Sequence, residues 1–165
     1  MTGRISRVNR TPRTDRTAPL DDVSKAIIEQ LQQDGRRSYA SIGKVVGLSE
    51  AAVRHRVQRL IDGGVMQVVA VTDPLELGFA RQAMVGIRVA GALEPVADAI
   101  ADLDEVDYVV ITAGAHDLLV EVVAESDEHL LEIISGRIRQ IEGVVGTETY
   151  MYLKLRKQTY SWGVR

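Results

Sequence analysis

Residues 38–62 read SYASIGKVVGLSEAAVRHRVQRLID, and the reading of this stretch decides the fold of the front of the chain. It divides into two short helical runs broken at Gly47, with Val45, Val46 and Leu48 expected to pack around the break. That is the pattern of a helix-turn-helix, in which one helix braces a second that enters the DNA major groove. In the second run Val53, Val57, Leu60 and Ile61 fall on one face at about 100° per residue. Ser49 stands where an N-cap belongs. The opposite face carries Ala51, Ala52, His55, Gln58 and Arg59, with Arg54 and Arg56 on its flanks. Small Ala51 and Ala52 permit close approach to DNA. His55, Gln58 and Arg59 suit base edges or phosphates, and the flanking arginines suit phosphate oxygens. With Ser38, Ser49 and Glu50 at the helix starts, the expected DNA-facing set is Ser38, Ser49, Glu50, Ala51, Arg54, His55, Arg56, Gln58 and Arg59.

Working outward, a first helix is expected from an Asp21 cap to about Gln33. Val23, Ile27 and Leu31 lie on one face, and Asp34-Gly35 ends the run. Gly63-Gly64 stops the third helix. Residues 20–64 thus form a three-helix domain. Before them, residues 1–19 have few apolar side chains and two prolines, and they read as a flexible basic arm. Arg4, Arg7, Arg10, Arg13 and Arg16 recur at every third position, a spacing suited to a DNA backbone. After them, residues 65–79 read as a linker: a β-rich apolar strand at 65–71, then a break at Asp73-Pro74.

The net charge of −3 conceals a division along the chain. Residues 1–19 carry +4, residues 20–64 carry +1, residues 65–155 carry −11 and residues 156–165 carry +3. A basic front on an acidic back is the asymmetry expected when one domain meets phosphate and the other does not.

The back half, residues 80–156, changes rhythm. Residues 82–89, 106–112, 118–124 and 144–155 read as strands, and 94–103 and 127–141 as helices. Leu130, Ile134, Ile138 and Ile141 mark the buried face of the second of these helices. The order is βαββαβ, a ferredoxin-like layout with two helices on one face of a four-stranded antiparallel sheet. The fold class is therefore α+β, a helix-turn-helix domain followed by a ferredoxin-like domain, with residues 157–165 as a C-terminal tail. Strands 106–111 and 118–123 are apolar on both faces, which predicts a second copy against the open face, with cover by the C-terminal tail as the rival. Tyr150, Tyr152, Tyr160 and Trp162 are candidates for subunit boundaries.

Several chemistries are excluded. The chain has no cysteine, so disulfides, thiolate metal sites and cysteine nucleophiles are out. His55, His116 and His129 show no metal-ligand spacing, and no nucleophile elbow or phosphate-cradling loop is present. The expectation is a protein that is not an enzyme and carries no metal or cofactor. No apolar run approaches the roughly 20 residues that span a membrane. No apolar segment follows the arginine-rich start, so it is not a secretory signal, and a cytoplasmic location is expected.

The stretch LDDVSKAIIEQLQQDGRRSYASIGKVVGLSEAAVRHRVQRLIDGGVMQ at 20–67, followed by VVITAGAHDLLVEVV at 109–123, resembles the Lrp/AsnC (feast/famine) family of transcription regulators. The resemblance covers roughly residues 20–160, with a Thr-x-Gly-x-x-Asp-like hairpin at Thr112 to Asp117. It implies double-stranded DNA as partner, a homodimer through the ferredoxin-like domains, assembly to higher homo-oligomers, and control by a small effector such as an amino acid. By the same resemblance the effector site comprises Thr112, Ala113, Gly114, Ala115, His116 and Asp117, with Thr147 and Thr149 from a facing subunit. Gly114 would allow a tight turn and expose amides to a carboxylate, Asp117 would pair with an ammonium group, and the threonines would offer hydroxyls. His116 stands where family members often carry an aromatic residue. The alternative is a siroheme-decarboxylase-like protein of the same architecture, although an acidic back domain suits an anionic tetrapyrrole poorly. A third reading is an effector-binding or oligomer-organising protein with a vestigial front domain.

Overall fold

The computed structural model describes residues 19–159 and 163–164. The arm up to residue 18, Tyr160 and Trp162 lie outside the described residues. The chain divides into two compact units, the second running from Val71 to Gln158.

The first unit holds three helices: α1 (Asp22–Gln33), α2 (Tyr39–Val46) and α3 (Glu50–Asp62). Each begins at a side-chain cap. Asp21 accepts from the Ser24 amide at 2.8 Å, Ser38 from Ser41 at 3.2 Å and Ser49 from Ala52 at 3.2 Å. These bonds satisfy amides that the helix itself leaves unpaired. Ile27, Leu31, Ile42, Val53 and Val57 form the core, with Val23, Tyr39, Val46, Leu48, Ile61 and Met66 packed around it. Each fully buried isoleucine or valine contributes roughly 1.5–3 kcal/mol. The α2–α3 turn uses Gly47 in the left-handed region at φ 71°. Val45 does not join the packing. It is 63% exposed, because the turn is closed by Val46 and Leu48 on the inner side.

No strand forms at residues 65–71. The segment finds no pairing partner among the described residues, and Val65, Val68, Val69 and Val71 are exposed. β-branched composition favours a strand only where another strand supplies hydrogen bonds and a packing surface. The break at Asp73-Pro74 becomes a single 3-10 turn, Pro74–Leu77, with Asp73 accepting from the Leu75 amide at 3.0 Å.

The second unit follows the βαββαβ order: β1 (Arg81–Val89), α4 (Leu93–Ala101), β2 (Val106–Ile111), β3 (Leu118–Ala124), α5 (Asp127–Leu131) and β4 (Val144–Met151). The sheet order is β2-β3-β1-β4, all antiparallel. Ala83, Val85, Ile87, Leu118, Val120 and Val122 face the helices and meet Val96, Ile100, Leu130, Ile133 and Ile138 in one core.

Two sequence expectations need correction here. The run 127–141 is not one regular helix. It passes from α5 into a π-helical turn, Glu132–Arg137, and then a 3-10 turn, Ile138–Gln140. The Ile138 amide reaches back to the Ile133 and Ile134 carbonyls. At α-helical pitch, residues five apart diverge by about 140°. The wider turn brings Ile133 and Ile138 into the core together, both fully buried. The last strand also ends at Met151 rather than 155. The ladder continues only as one bond, from the Tyr152 amide to the Gln82 carbonyl at 2.9 Å, and Leu153 is 94% exposed.

Candidate nucleic-acid interface and effector site

The outward face of α3 stands in solvent. Ala51, Arg54, His55, Gln58 and Arg59 are exposed, while Val53, Val57 and Leu60 on the opposite side are buried. Gly43 sets how closely α2 meets the start of α3. A Cβ at that position would lie 2.4 Å from the Leu48 carbonyl oxygen, so only glycine fits. The sequence pattern pointed to Gly47 and missed Gly43, whose constraint is the Leu48 backbone across the turn.

Among the described residues, no hydrogen bond or ion pair holds the side chains of His55 and Arg59, and both are free to meet a ligand. The other polar members of the set have partners. Arg54 pairs with Glu50 at 2.8 Å and lies over the Tyr39 ring, 5.3 Å from its centroid. Gln58 donates to Asp62 at 2.7 Å. Exposed contacts of this kind are weak and exchange readily for phosphate or base contacts. Ser38 and Ser49 serve as caps, and Glu50 orients Arg54 from the first turn, where its charge also suits the helix dipole.

Arg56 differs. It is half-buried and donates to Asp21 Oδ2 at 2.7 Å and to Ser24 Oγ at 3.2 Å, tying α3 to the start of α1. The Ser24 hydroxyl, the Arg56 guanidinium and the Ser24 amide together hold the Asp21 carboxyl far below the usual carboxylate range. Arg56 is therefore first a brace between helices, with its remaining N–H groups left for phosphate.

In the second unit, the hairpin between β2 and β3 is held by its own side chains. The Thr112 amide donates to the Asp117 carbonyl at 2.8 Å, and the Thr112 hydroxyl to the His116 carbonyl at 2.5 Å. Asp117 Oδ2 accepts from the Val89 amide at 2.8 Å, and the Asp117 amide donates to the Ile87 carbonyl at 2.9 Å. One oxygen of the Asp117 carboxylate is thus committed to the end of β1. Gly114 is not in the left-handed region, and a Cβ there would meet open space, so the turn does not require it.

The glycines that matter lie on the sheet. A Cβ at Gly86 would come within 2.6 Å of the His116 ring, and one at Gly146 within 2.8 Å of the Arg88 guanidinium. Both side chains occupy the space that a Cβ would need there. His116 Nε2 is 3.2 Å from Glu148 Oε2, and the imidazole meets Tyr150 edge-on at 6.2 Å. Glu148 also raises the Tyr150 hydroxyl pKa above its ordinary value, mainly by hydrogen bonding.

Arg88, Ala115, His116, Thr147 and Glu148 line a shallow open cavity of about 270 Å³. Of the residues expected in an effector site, Ala115, His116 and Thr147 meet there. Thr112 and Asp117 build the hairpin behind it, and Ala113 and Gly114 sit at the exposed tip. Thr149 pairs across from Val85 and is not part of the lining. Arg88 and Glu148 were missed. For Arg88 the signal was the alternation on β1, where buried Ile87 implies that Arg88 faces the other way, whereas Glu148 lies on β4 and joins it only through the register that sets it opposite Gly86. Among the described residues, no three His, Cys, Asp or Glu side chains gather to hold a metal ion, and no helix is long and apolar enough to cross a membrane.

Beyond the cavity, Gln82 donates to Glu121 at 2.7 Å, and burial, then the Glu121 charge, push the half-buried Tyr152 hydroxyl up to about 12.

Comparison with known proteins gives consistent matches. Residues 20–61 match the model of the AsnC-type helix-turn-helix domain, and residues 82–162 that of the Lrp/AsnC ligand binding domain. An HTH-type transcriptional regulator of Pyrococcus furiosus is 34% identical over 144 residues, covering 86% of this chain and 97% of that protein. The HTH-type transcriptional regulator FL11 of the same organism is 37% identical over 142 residues, covering 85% and 93%. Among solved structures, AsnC of E. coli superimposes with a TM-score of 0.74 at 23% identity, covering 87% of this chain and 98% of that one. A Neisseria meningitidis regulator solved as an L-Met complex gives 0.75 at 23%, covering 87% and 96%. At that identity these two structures establish the shared fold.

Proposed function

The chain belongs to the Lrp/AsnC family of DNA-binding transcription regulators, and from that premise we propose which residues read DNA, how the protein assembles and where an effector acts. α3 enters the major groove with His55, Gln58 and Arg59 toward the bases and Arg54 toward phosphate, while Arg56 holds the helix at its docking angle. The observation that carries this reading is the exposed, uncommitted pair His55 and Arg59 on a helix whose other face is buried.

A homodimer sets two such helices about 34 Å apart along one face of the duplex, so the preferred site is an imperfect palindrome. Support for dimerisation through the ferredoxin-like unit comes from exposed Tyr108, Ile111 and Tyr150 on its sheet. Higher assembly would bend or wrap DNA and add selectivity for deformable sequence.

The effector is a small zwitterion such as an amino acid. The cavity under His116 supports this, since Arg88 suits a carboxylate and Glu148 an ammonium group. The ligand acts through its differential affinity for oligomeric states. Cytoplasmic location follows from a DNA-binding role. The test is selection of genomic fragments by the purified protein, with and without each amino acid. A palindromic motif whose occupancy or protein oligomer size shifts with one amino acid is the expected result. Absence of enriched DNA would overturn the reading.

A further inference from the structure

We propose that Tyr39 is a positioning residue for DNA binding, its ring being the seat from which Arg54 reaches phosphate. This rests on the reading of α3 given above and extends it to α2, which that reading leaves as a brace.

Tyr39 is the first residue of α2, next to the Ser38 cap. Its side chain is half-buried and packs against the core of the helical unit. A tyrosine turns about only two side-chain torsions, so packing on one side is enough to hold the ring in place. The Cζ atom of Arg54 lies over that ring, 5.3 Å from its centroid. This is inside the roughly 6 Å over which a ring face attracts a cation.

Arg54 has a second partner. Glu50, one turn earlier on α3, accepts from its Nη2 at 2.8 Å. The two side chains are 64% and 52% exposed, so solvent screens the pair and it fixes the guanidinium only weakly. The two contacts differ in what DNA does to them. The Glu50 carboxylate accepts an N–H that a phosphate oxygen would also accept, so carboxylate and phosphate compete for one guanidinium. The ring acts through its quadrupole, carries no net charge and offers no lone pair in competition. Arg54 can thus exchange Glu50 for phosphate and keep Tyr39. An arginine that clamps a phosphate gives up most of its rotamer freedom, and prior seating on the ring reduces that loss. The other arginines of α3 lack this arrangement. Arg56 is held by Asp21 and Ser24, and Arg59 has no ring contact among the described residues.

The experiment measures affinity for a selected operator by fluorescence anisotropy. It uses the full chain, Tyr39→Phe, Tyr39→Leu, Arg54→Ala and the double variant Tyr39→Leu with Arg54→Ala. Tyr39→Phe keeps the ring face and should bind as the unmodified chain does. Tyr39→Leu keeps apolar bulk without a ring and should bind about two- to fivefold more weakly. In the Arg54→Ala background the same change should cost nothing further. A residue that serves packing alone would lower affinity equally in both backgrounds, and equal losses would overturn the proposal. So would full affinity in Tyr39→Leu. An equal defect in Tyr39→Phe would also overturn it, by assigning the effect to the hydroxyl. Unchanged circular dichroism and urea midpoints show that the variants are folded. Should Tyr39→Leu prove unfolded, Tyr39→Met takes its place in the same cycle. If the unmodified chain binds no duplex, the DNA-binding reading fails and this one with it. If it binds and the cycle is additive, only the role of Tyr39 fails.

Discussion

The imidazole of His116 lies over Gly86 so closely that a single added carbon would fall 2.6 Å from its ring. The pairing places a titratable side chain from the β2–β3 hairpin on the open side of the central strand, beside Glu148. Gly86→Ala should therefore displace His116 and destabilise the ferredoxin-like unit by about 1–3 kcal/mol, the usual cost of overpacking. The double variant with His116→Ala should recover most of that loss, as read from urea unfolding in a double-mutant cycle. Additive losses would mean that Gly86 is required for another reason.

Arg54→Ala should weaken binding to every DNA sequence and reduce the salt slope by about one unit, as expected for one lost phosphate contact. His55→Ala should instead relax base preference at one position by about 1–3 kcal/mol. Fluorescence anisotropy against operator and scrambled duplexes separates the two. An unchanged preference in His55→Ala would assign the base reading to Gln58 and its neighbours.

The Asp21 carboxyl is held far below its ordinary value by Ser24 and Arg56. A depressed carboxyl stabilises the fold at pH values above its unfolded pKa of about 3.9, and this contribution fades as pH falls through the folded value. The helical unit should therefore lose stability on acidification below about pH 4. Asp21→Asn should flatten that dependence while keeping an N-cap acceptor. Ellipticity at 222 nm during urea titrations at several pH values is the measurement.

Tyr152 gives a second titration at the other end of the scale. Its hydroxyl is pushed up to about 12 by burial and by Glu121. A raised phenol contributes stability in full below the unfolded value of about 10, and that contribution is lost as pH rises toward 12. Tyr152→Phe should remove the last-titrating phenolate signal at 295 nm and reduce the loss of stability between pH 10 and 12.

Arg88→Ala and Glu148→Gln should each weaken effector binding by about tenfold or more, the scale of one lost charge-assisted hydrogen bond. Melting without ligand should be unaffected. Asp117→Ala should behave differently and cost about 1.5–3 kcal/mol of stability with or without ligand, because its carboxylate accepts the Val89 amide. Isothermal titration with amino acids, paired with thermal melts, distinguishes a ligand contact from a hairpin brace.

The front of this fold was legible because its information is local. The caps Asp21, Ser38 and Ser49 and the spacing of Val53, Val57 and Leu60 each act within one or two helical turns. Gly43 escaped because its constraint comes from Leu48 across the turn rather than from its own conformation. In the second unit, alternation located the strands but not what stands on them. Arg88, Gly86 and Gly146 acquire meaning only through the register that sets β4 and the hairpin beside β1. Register also places Thr149 opposite Val85 and Thr147 opposite Ile87, which residue type alone does not reveal. The strand expected at 65–71 shows the limit of composition, since no other strand among the described residues pairs with it.

The π turn at Glu132–Arg137 holds one residue more than an ordinary helical turn over the same span. Shortening it by one position, at Ser135 or Gly136, would make the step from Ile133 to Ile138 four residues instead of five, about 40° apart at ordinary helical pitch. Both isoleucines would still face the interior, and Arg137, now 2.6 Å from Glu105, would keep its partner. A one-codon deletion is therefore absorbed at this turn, whereas the same deletion inside α1 or α3 would rotate every later side chain of that helix by about 100°.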